Sequence, residues 1–237
     1  MYGWKARIGL ILPSPNVVME PEFNALKPEG VSIHASRLLF TAPTRAHYEH
    51  MSEEVEESAE LLATAGVNTI AYGCTMGSLF LGAGYDQDII QRIENQTRIP
   101  TTTTATAVLR AFQELKITRV AVATPYGEES DRLEREFLEA SGIRVVNMKG
   151  INLGIIGLRH APPETYYSLA AEVDVPEAEA VFISCTAART VTIIEALEQK
   201  LGKYVISSNT ATFWDVMRRL GIGAAKIRGY GRLLETI

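Results

Sequence analysis

Two similar stretches decide the fold: AYGCTMGS at residues 71–78 and FISCTAAR at residues 182–189. Each closes an apolar run with Cys-Thr, and together they hold the only two cysteines of the 237-residue chain, Cys74 and Cys185. Short continuous apolar runs that end at small or polar residues are typical of strands buried on both faces of a parallel sheet. The two stretches therefore predict two buried strands, each followed by a thiol.

The motifs around the two cysteines repeat in the same order. RIGLILP at 7–13 resembles RVAVATP at 119–125, and TAT occurs at 104–106 and at 210–212. The spacings are 119 − 7 = 112, 185 − 74 = 111 and 210 − 104 = 106, which indicates an internal duplication. A general likeness among βα units is the alternative explanation, but it does not account for cysteines at matching positions.

Helical patterns alternate with the apolar runs, and glycines follow four of them, where a helix C-terminus favours positive φ. This alternation predicts an α/β fold with two pseudo-symmetric halves, each a mainly parallel sheet flanked by helices. Residues 1–115, closing with about 206–237, are expected to form the half with Cys74, and residues 116–205 the half with Cys185. The predicted strands are 7–12, 67–72, 119–124, 180–184 and 204–206. The predicted helices are 46–65, 86–97, 105–115, 128–141, 163–172, 190–201 and 210–220.

The net charge, the apolar runs and the histidine positions of the chain argue against several classes of binding partner. A net charge of −5 argues against nucleic acid, which needs a basic footprint. No apolar run reaches the ~18–20 residues of a membrane span, and the first residues lack the apolar segment of a signal peptide. We therefore expect no membrane association and a cytoplasmic location, where both thiols stay reduced. None of the four histidines lies at ligand spacing to a cysteine, so no metal site is predicted.

Ligands of parallel sheets bind at the carboxyl ends of the strands, so both thiols are expected in the cleft between the halves. Two thiols on opposite walls can act as a base–acid pair, or one can add covalently while the other handles a proton. The alternative is that both cysteines are inert core residues. Ser14 and Asn16 follow the first strand and Tyr126 follows its counterpart, and such uncharged donors can hold carboxylate oxygens. Tyr48 is expected to pack in the core or on the surface.

The chain resembles the aspartate/glutamate racemase superfamily, in particular its maleate cis-trans isomerase and arylmalonate decarboxylase branch. RIGLILPSPNVVMEPEF at 7–23 is similar to the opening of maleate isomerases, and the two Cys-Thr stretches resemble the cysteine motifs of the superfamily. VISSNTATFWDVMRRLGI at 205–222 and GYGRLL at 229–234 are similar to the end of arylmalonate decarboxylases. The resemblance implies Rossmann-like halves, an active site in the cleft between them, no metal or organic cofactor, a small carboxylate substrate and a homo-oligomer, dimeric or larger.

The resemblance also implies roles for individual residues. Cys74 matches the nucleophile of maleate isomerases, and Cys185 matches their general acid/base. The positions expected to bind substrate are Asn16, Tyr126, Asn152, Thr75, Ser14 and Thr186. Pro15 departs from the usual Ser, and Met76 makes the surroundings of Cys74 less polar.

These observations favour a cofactor-independent cis-trans isomerase of a small dicarboxylate, of the maleate-to-fumarate type. An amino-acid or hydantoin racemase that uses both thiols for proton transfer is the first alternative. An arylmalonate-type decarboxylase is the second, although the resemblance implies Gly rather than Cys at its first cysteine position. A binding protein without catalysis is the last alternative.

Overall fold

The structure is a computed structural model that describes residues 2–223 and 227–237. In these residues eight strands form two four-stranded sheets, and every strand pair is parallel. The first sheet has the order β2-β1-β3-β4, and the second has the equivalent order β6-β5-β7-β8. The strands are β1 (Ala6–Pro13), β2 (Val31–Leu38), β3 (Thr69–Tyr72), β4 (Thr101–Thr103), β5 (Arg119–Thr124), β6 (Arg144–Gly150), β7 (Ala180–Ile183) and β8 (Tyr204–Ser207). This topology confirms the predicted α/β fold with two matching halves.

Helices flank both sheets, and a short 3₁₀ helix follows at Arg232–Thr236. In the described part of the chain the α-helices are α1 (Met19–Leu26), α2 (Arg45–Glu53), α3 (Val55–Thr64), α4 (Thr75–Leu79), α5 (Tyr85–Thr97), α6 (Thr104–Glu114), α7 (Glu128–Ala140), α8 (Gly154–His160), α9 (Pro163–Val173), α10 (Ile194–Leu201) and α11 (Ser208–Arg219). The four glycines expected after helices all have positive φ: Gly66, Gly142, Gly202 and Gly221.

The sequence pattern missed three strands. β2 and β6 are edge strands with mixed burial, so they lack the continuous apolar run that marks the central strands. β4 is only three threonines long, too short for a period to be seen. Three helices were missed as well: α1, α4 and α8.

Two helical predictions were wrong in their bounds. The pattern over 46–65 is two helices, α2 and α3, which meet at Glu54. The pattern over 190–201 begins as a helix only at Ile194. The backbone N–H groups of Thr190 and Val191 donate instead to the buried carboxylate of Glu22, at 2.6 and 3.1 Å. That long-range contact holds the residues before α10 in a turn.

Apolar side chains join the two halves. Phe112 of α6 packs edge-to-face on Phe182 of β7, with ring centroids 5.7 Å apart. α11 follows the last strand of the second sheet but packs against α6, and its Phe213 meets Phe23 of α1 at 5.2 Å. The larger of two hydrophobic clusters therefore contains residues of both sheets, and a second cluster packs within the second half. The domain boundaries given above stay a prediction.

Within the ranges that the structure describes, no helix combines the length and the apolar character needed to cross a membrane.

Replacing Phe182 by Ala should lower the free energy of unfolding by about 3–5 kcal/mol, because the truncation leaves a cavity where the halves meet. The measurement is equilibrium unfolding in guanidinium chloride. Leu61→Ala is the control, since Leu61 is 61% exposed and its loss should cost at most about 0.5 kcal/mol. A loss below about 1 kcal/mol for Phe182→Ala would contradict a shared core.

Candidate active site

A cavity of about 770 Å³, including its open mouth, lies between the two sheets at the carboxyl ends of the strands. Its lining includes Pro13 at the end of β1, Pro125 after β5 and both thiols, Cys74 after β3 and Cys185 after β7. Parallel strands of both halves end here, which explains why two residues 111 positions apart (185 − 74) share one site.

Cys74 is the N-cap residue of α4. Its Sγ accepts a hydrogen bond from the backbone N–H of Gly77 at 3.2 Å. A Cβ on Gly77 would lie 2.7 Å from the Tyr72 hydroxyl and 2.9 Å from Cys74 Sγ, so only glycine fits there. Burial raises the pKa of the Cys74 thiol to about 12, although the Gly77 hydrogen bond opposes this shift.

Cys185 has a φ of +97°, a left-handed conformation that L-residues with a Cβ rarely adopt. Such strain costs about 1–3 kcal/mol. Its backbone N–H donates to Ser208 Oγ at 3.0 Å, and Ala187 N–H donates to its Sγ at 3.4 Å. Burial raises the pKa of Cys185 to about 11, with hydrogen bonds from the Tyr126 hydroxyl and from the backbone opposing the shift.

Hydroxyl groups tie the two cysteine loops together. Thr186, which follows Cys185, donates to the backbone carbonyl of Gly73 at 3.0 Å. In the other direction, Thr75 shares a hydrogen bond of 2.9 Å with Ser208, the residue that accepts from the N–H of Cys185. Thr186 therefore reaches the backbone of the other cysteine loop directly, and Thr75 reaches it through Ser208. Both also line the cavity, where the predicted role was substrate binding.

Asn16 is only 2% exposed and spans the same junction. Its Oδ1 accepts the N–H groups of Val18 and Met19 at 2.9 and 3.1 Å, so it caps the start of α1. Its Nδ2 donates to Thr186 Oγ1 at 3.0 Å. The amide has a second N–H, and no described residue accepts it. Asn16 lines the cavity, so this N–H is available to a ligand.

Tyr126 and Asn152 also line the cavity. Asn152 has a φ of +46°, and a Cβ on Gly127 would lie 3.1 Å from its Oδ1. Ser14 is not among the described lining residues. Its Oγ accepts the backbone N–H of Phe40 at 3.1 Å, so this hydroxyl already has a partner within the protein. The position of Ser14 therefore gives no support to its predicted role in substrate binding.

Apolar side chains from both halves of the chain form part of the cavity lining, the apolar wall, and sequence reasoning did not anticipate most of them. Its residues include Phe40, Tyr48, Met76, Ile155 and Leu158. Tyr48 stacks between Phe40 and Phe80, with centroids 5.1 and 5.4 Å away, so it is packed and lines the site at once. Only Met76, two residues after Cys74 in the chain, gave a local signal in the sequence. The others come from loops and helices whose approach depends on the tertiary fold.

Positive charge is missing from the described lining, which contains no Arg, Lys or His. Within residues 2–223 and 227–237, no three His, Cys, Asp or Glu side chains are grouped as a metal site would require. Anionic oxygens in this cavity would therefore be held by neutral donors, as the sequence analysis expected for a carboxylate site.

Comparisons with known proteins find similar sequences and structures along nearly the whole chain. A family model described as arylmalonate decarboxylase matches residues 8–234. Arylmalonate decarboxylase from Bordetella bronchiseptica is 28% identical over 231 residues, 96% of each chain. A maleate isomerase from Geobacillus stearothermophilus is 27% identical over 233 residues, which cover 91% of this chain and 92% of its own.

Among solved structures, one similar protein is a maleate cis-trans isomerase from Nocardia farcinica. That structure is a cysteine-to-serine variant with a covalently bound succinylcysteine intermediate. It superposes with a TM-score of 0.93 at 25% identity, covering 98% of this chain and 99% of that chain.

Thr186→Val should lower the free energy of unfolding by about 1–3 kcal/mol, because the Gly73 carbonyl and the Asn16 amide each lose a buried partner. Thr186→Ser keeps the hydroxyl and is the matched control, with an expected loss below about 1 kcal/mol. Equilibrium unfolding of both variants tests this. Equal stability of the Val and Ser variants would contradict a structural role for the bridge.

Proposed function

The chain belongs to the arylmalonate decarboxylase family, and we propose that within it this protein is a cofactor-independent cis-trans isomerase of a small cis-dicarboxylate such as maleate. The observation that carries the proposal is that both thiols line one cavity with neutral hydrogen-bond donors. The relatives are enzymes named arylmalonate decarboxylase and maleate isomerase, so an enzymatic function follows from the family and the isomerase reaction is our inference.

The first step requires the thiolate of Cys74, since the thiolate is the nucleophile. It adds to one alkene carbon, and a C–S bond forms as the π bond breaks. The electron pair moves to the neighbouring carbon, which takes the proton of the Cys185 thiol. This leaves a succinyl group bound to Cys74 and a thiolate at Cys185, so charge and protons balance.

Addition turns the double bond into a single bond, and the large barrier to rotation disappears. One carboxylate stays held by donors such as Asn16 and Tyr126, while the other end swings past the apolar wall. Cys185 then removes the proton it gave, the C–S bond breaks, and the trans acid leaves. The succinylcysteine adduct in the Nocardia farcinica structure supports a covalent route of this kind.

Decarboxylation of a substituted malonate is the second candidate, and the apolar wall favours it. Phe40, Tyr48 and Ile155 offer an apolar surface that maleate does not need but an aryl group would use. Loss of CO₂ leaves a carbanion that one acid can protonate. Decarboxylase activity should therefore survive Cys74→Ser and be lost in Cys185→Ser, whereas isomerisation needs both thiols.

Incubation of the protein with maleate should give fumarate, and proton NMR measures the conversion. Cys74→Ser should abolish the conversion, and Cys185→Ser should slow it by roughly 10²–10⁴-fold, the usual contribution of general acid–base catalysis. Leu61→Ala, at a residue that is 61% exposed and outside the cavity lining, is the control with near-native rates. Absence of fumarate would count against the proposal.

CO₂ release from a phenyl-substituted malonate would favour the decarboxylase instead. Deuterium exchange at the Cα of aspartate, glutamate or a hydantoin, with no fumarate formed, would favour the racemase.

The value of kcat/KM for maleate should rise about tenfold per pH unit between about pH 6.5 and 9. Burial raises the pKa of Cys74 to about 12, so the thiol is protonated at neutral pH and its thiolate fraction grows with pH. The pKa of Cys185, about 11, keeps that acid protonated across the same range. A flat profile over this range, with chemistry rate-limiting, would contradict the assignment of a neutral resting thiol to Cys74.

A further inference from the structure

Helix α8 lines the cavity, but core packing does little to hold it. Ile155 and Leu158 are half-buried residues of the apolar wall, and none of the seven residues of α8 is buried. The chain enters the helix through two left-handed residues, Asn152 at φ +46° and Gly154 at φ +61°. Isolated helices this short are unstable in water, because helix stability in proteins comes mostly from tertiary packing. Contacts at its two ends must therefore fix the part of the wall that α8 contributes.

The start of α8 is tied to the loop that follows β5. The backbone N–H of Asn152 donates to the carbonyl of Tyr126 at 2.9 Å. The backbone N–H of Leu153 donates to the carbonyl of Pro125, also at 2.9 Å. Tyr126 lines the cavity, so this end of the helix is joined to one of the expected substrate donors. These two bonds do not hold the other end of α8.

The end of α8 lacks the donors that a helix can draw from the chain that follows it. A helical N–H donates to the carbonyl four residues earlier, so the carbonyls of Leu158 and Arg159 would need the N–H groups of residues 162 and 163. Both of those residues are proline and have no N–H. The sequence therefore leaves two carbonyls that need a donor from elsewhere in the fold.

The side chain of Arg189 supplies these donors from the loop of the second thiol. Its Nη1 donates to the carbonyls of Leu158 and Ala161 at 3.2 and 3.0 Å. Its Nη2 donates to the carbonyl of Arg159 at 2.8 Å. The positive guanidinium also suits the partial negative charge at a helix C-terminus. Arg189 follows Cys185 by four residues (189 − 185), so these hydrogen bonds join the end of α8 to the Cys185 loop.

We propose that Arg189 is a positioning residue that joins the end of α8 to the Cys185 loop and so holds Ile155 and Leu158 at a fixed place beside the substrate. Arg189 is not among the described lining residues, so it acts through the helix. Loss of its hydrogen bonds loosens the wall and leaves the thiols in place, so substrate binding weakens more than the chemical step slows. The effect on maleate rests on the proposed function, whereas the attachment of α8 does not.

Hydrogen–deuterium exchange of the protein without substrate tests the attachment of α8. Arg189→Met keeps a long side chain but has no donors. The amides of residues 154–161 should therefore exchange about 10–100-fold faster, as expected when hydrogen bonds from a charged group are lost. Arg159→Met is the matched control, because that exposed side chain makes none of these hydrogen bonds and the Arg159 carbonyl is unchanged. Unchanged exchange of α8 in Arg189→Met, or an equal rise in the control, would overturn the proposal.

The kinetic test uses maleate and the fumarate assay. Arg189→Met should raise KM about threefold to tenfold and change kcat less than about twofold, because a loosened wall removes binding shared by the ground state and the transition state. Arg189→Lys keeps the charge but not the planar fork of donors, so its KM should lie between those of Arg189→Met and the unmodified protein. Arg159→Met should leave both constants unchanged. A fall in kcat at unchanged KM, or a native KM in Arg189→Lys while α8 still exchanges fast, would overturn the positioning role.

The exchange experiment separates this proposal from the proposed function. If the unmodified protein forms no fumarate, the isomerase proposal fails, and the exchange rates still decide whether Arg189 holds α8. If Arg189→Met does not fold, Arg189→Lys takes its place, and exchange of residues 154–161 should then be at least about threefold faster than in the unmodified protein. Native exchange in that variant would overturn the proposal.

Discussion

The site depends on hydrogen bonds that cross between the two cysteine loops. Thr186 donates to the Gly73 carbonyl, while Thr75 and Ser208 together hold the N–H of Cys185. These bonds are buried, so each unmade one would leave a polar group without water or partner. They hold two thiols from different sheets at one cavity, where the proposed isomerisation needs both. The threonines of the two Cys-Thr pairs therefore help to fix the position of one half relative to the other.

The same junction also carries strain and a buried carboxyl group. Cys185 adopts a left-handed backbone conformation, and Glu22, a carboxyl group removed from water, has its pKa raised by burial. Four donors compensate Glu22, including Asn209 Nδ2 at 2.6 Å, and Asn209 also donates to the carbonyl of Thr186. Backbone strain and buried carboxyl groups that occur together are typical of functional sites. The packing around the site must hold such conformations, because the local sequence does not favour them.

Burial also sets the chemistry of the thiols. Both have a raised pKa because a thiolate in this cavity loses its hydration, and neutral donors replace only part of it. The two environments nevertheless differ, since the Tyr126 hydroxyl lowers the pKa of Cys185 while the charge of the buried Glu134 carboxyl raises it. The duplicated fold places the two thiols at similar positions, and the different groups around each thiol allow the two to act differently.

The sequence by itself determined the central strands, the repeat and the presence of two thiols at strand ends, because continuous apolar runs and repeated motifs are local signals. It also named Asn16, Tyr126, Asn152, Thr75 and Thr186, which line the cavity, whereas Ser14 accepts from Phe40 instead. Only the tertiary structure decided the edge strands β2, β4 and β6, the apolar wall with Tyr48, and the buried carboxyl group of Glu22, whereas the edge strand β8 was predicted from its apolar run. Those features depend on contacts between residues far apart in the chain, and no local pattern of hydrophobicity or spacing encodes such contacts.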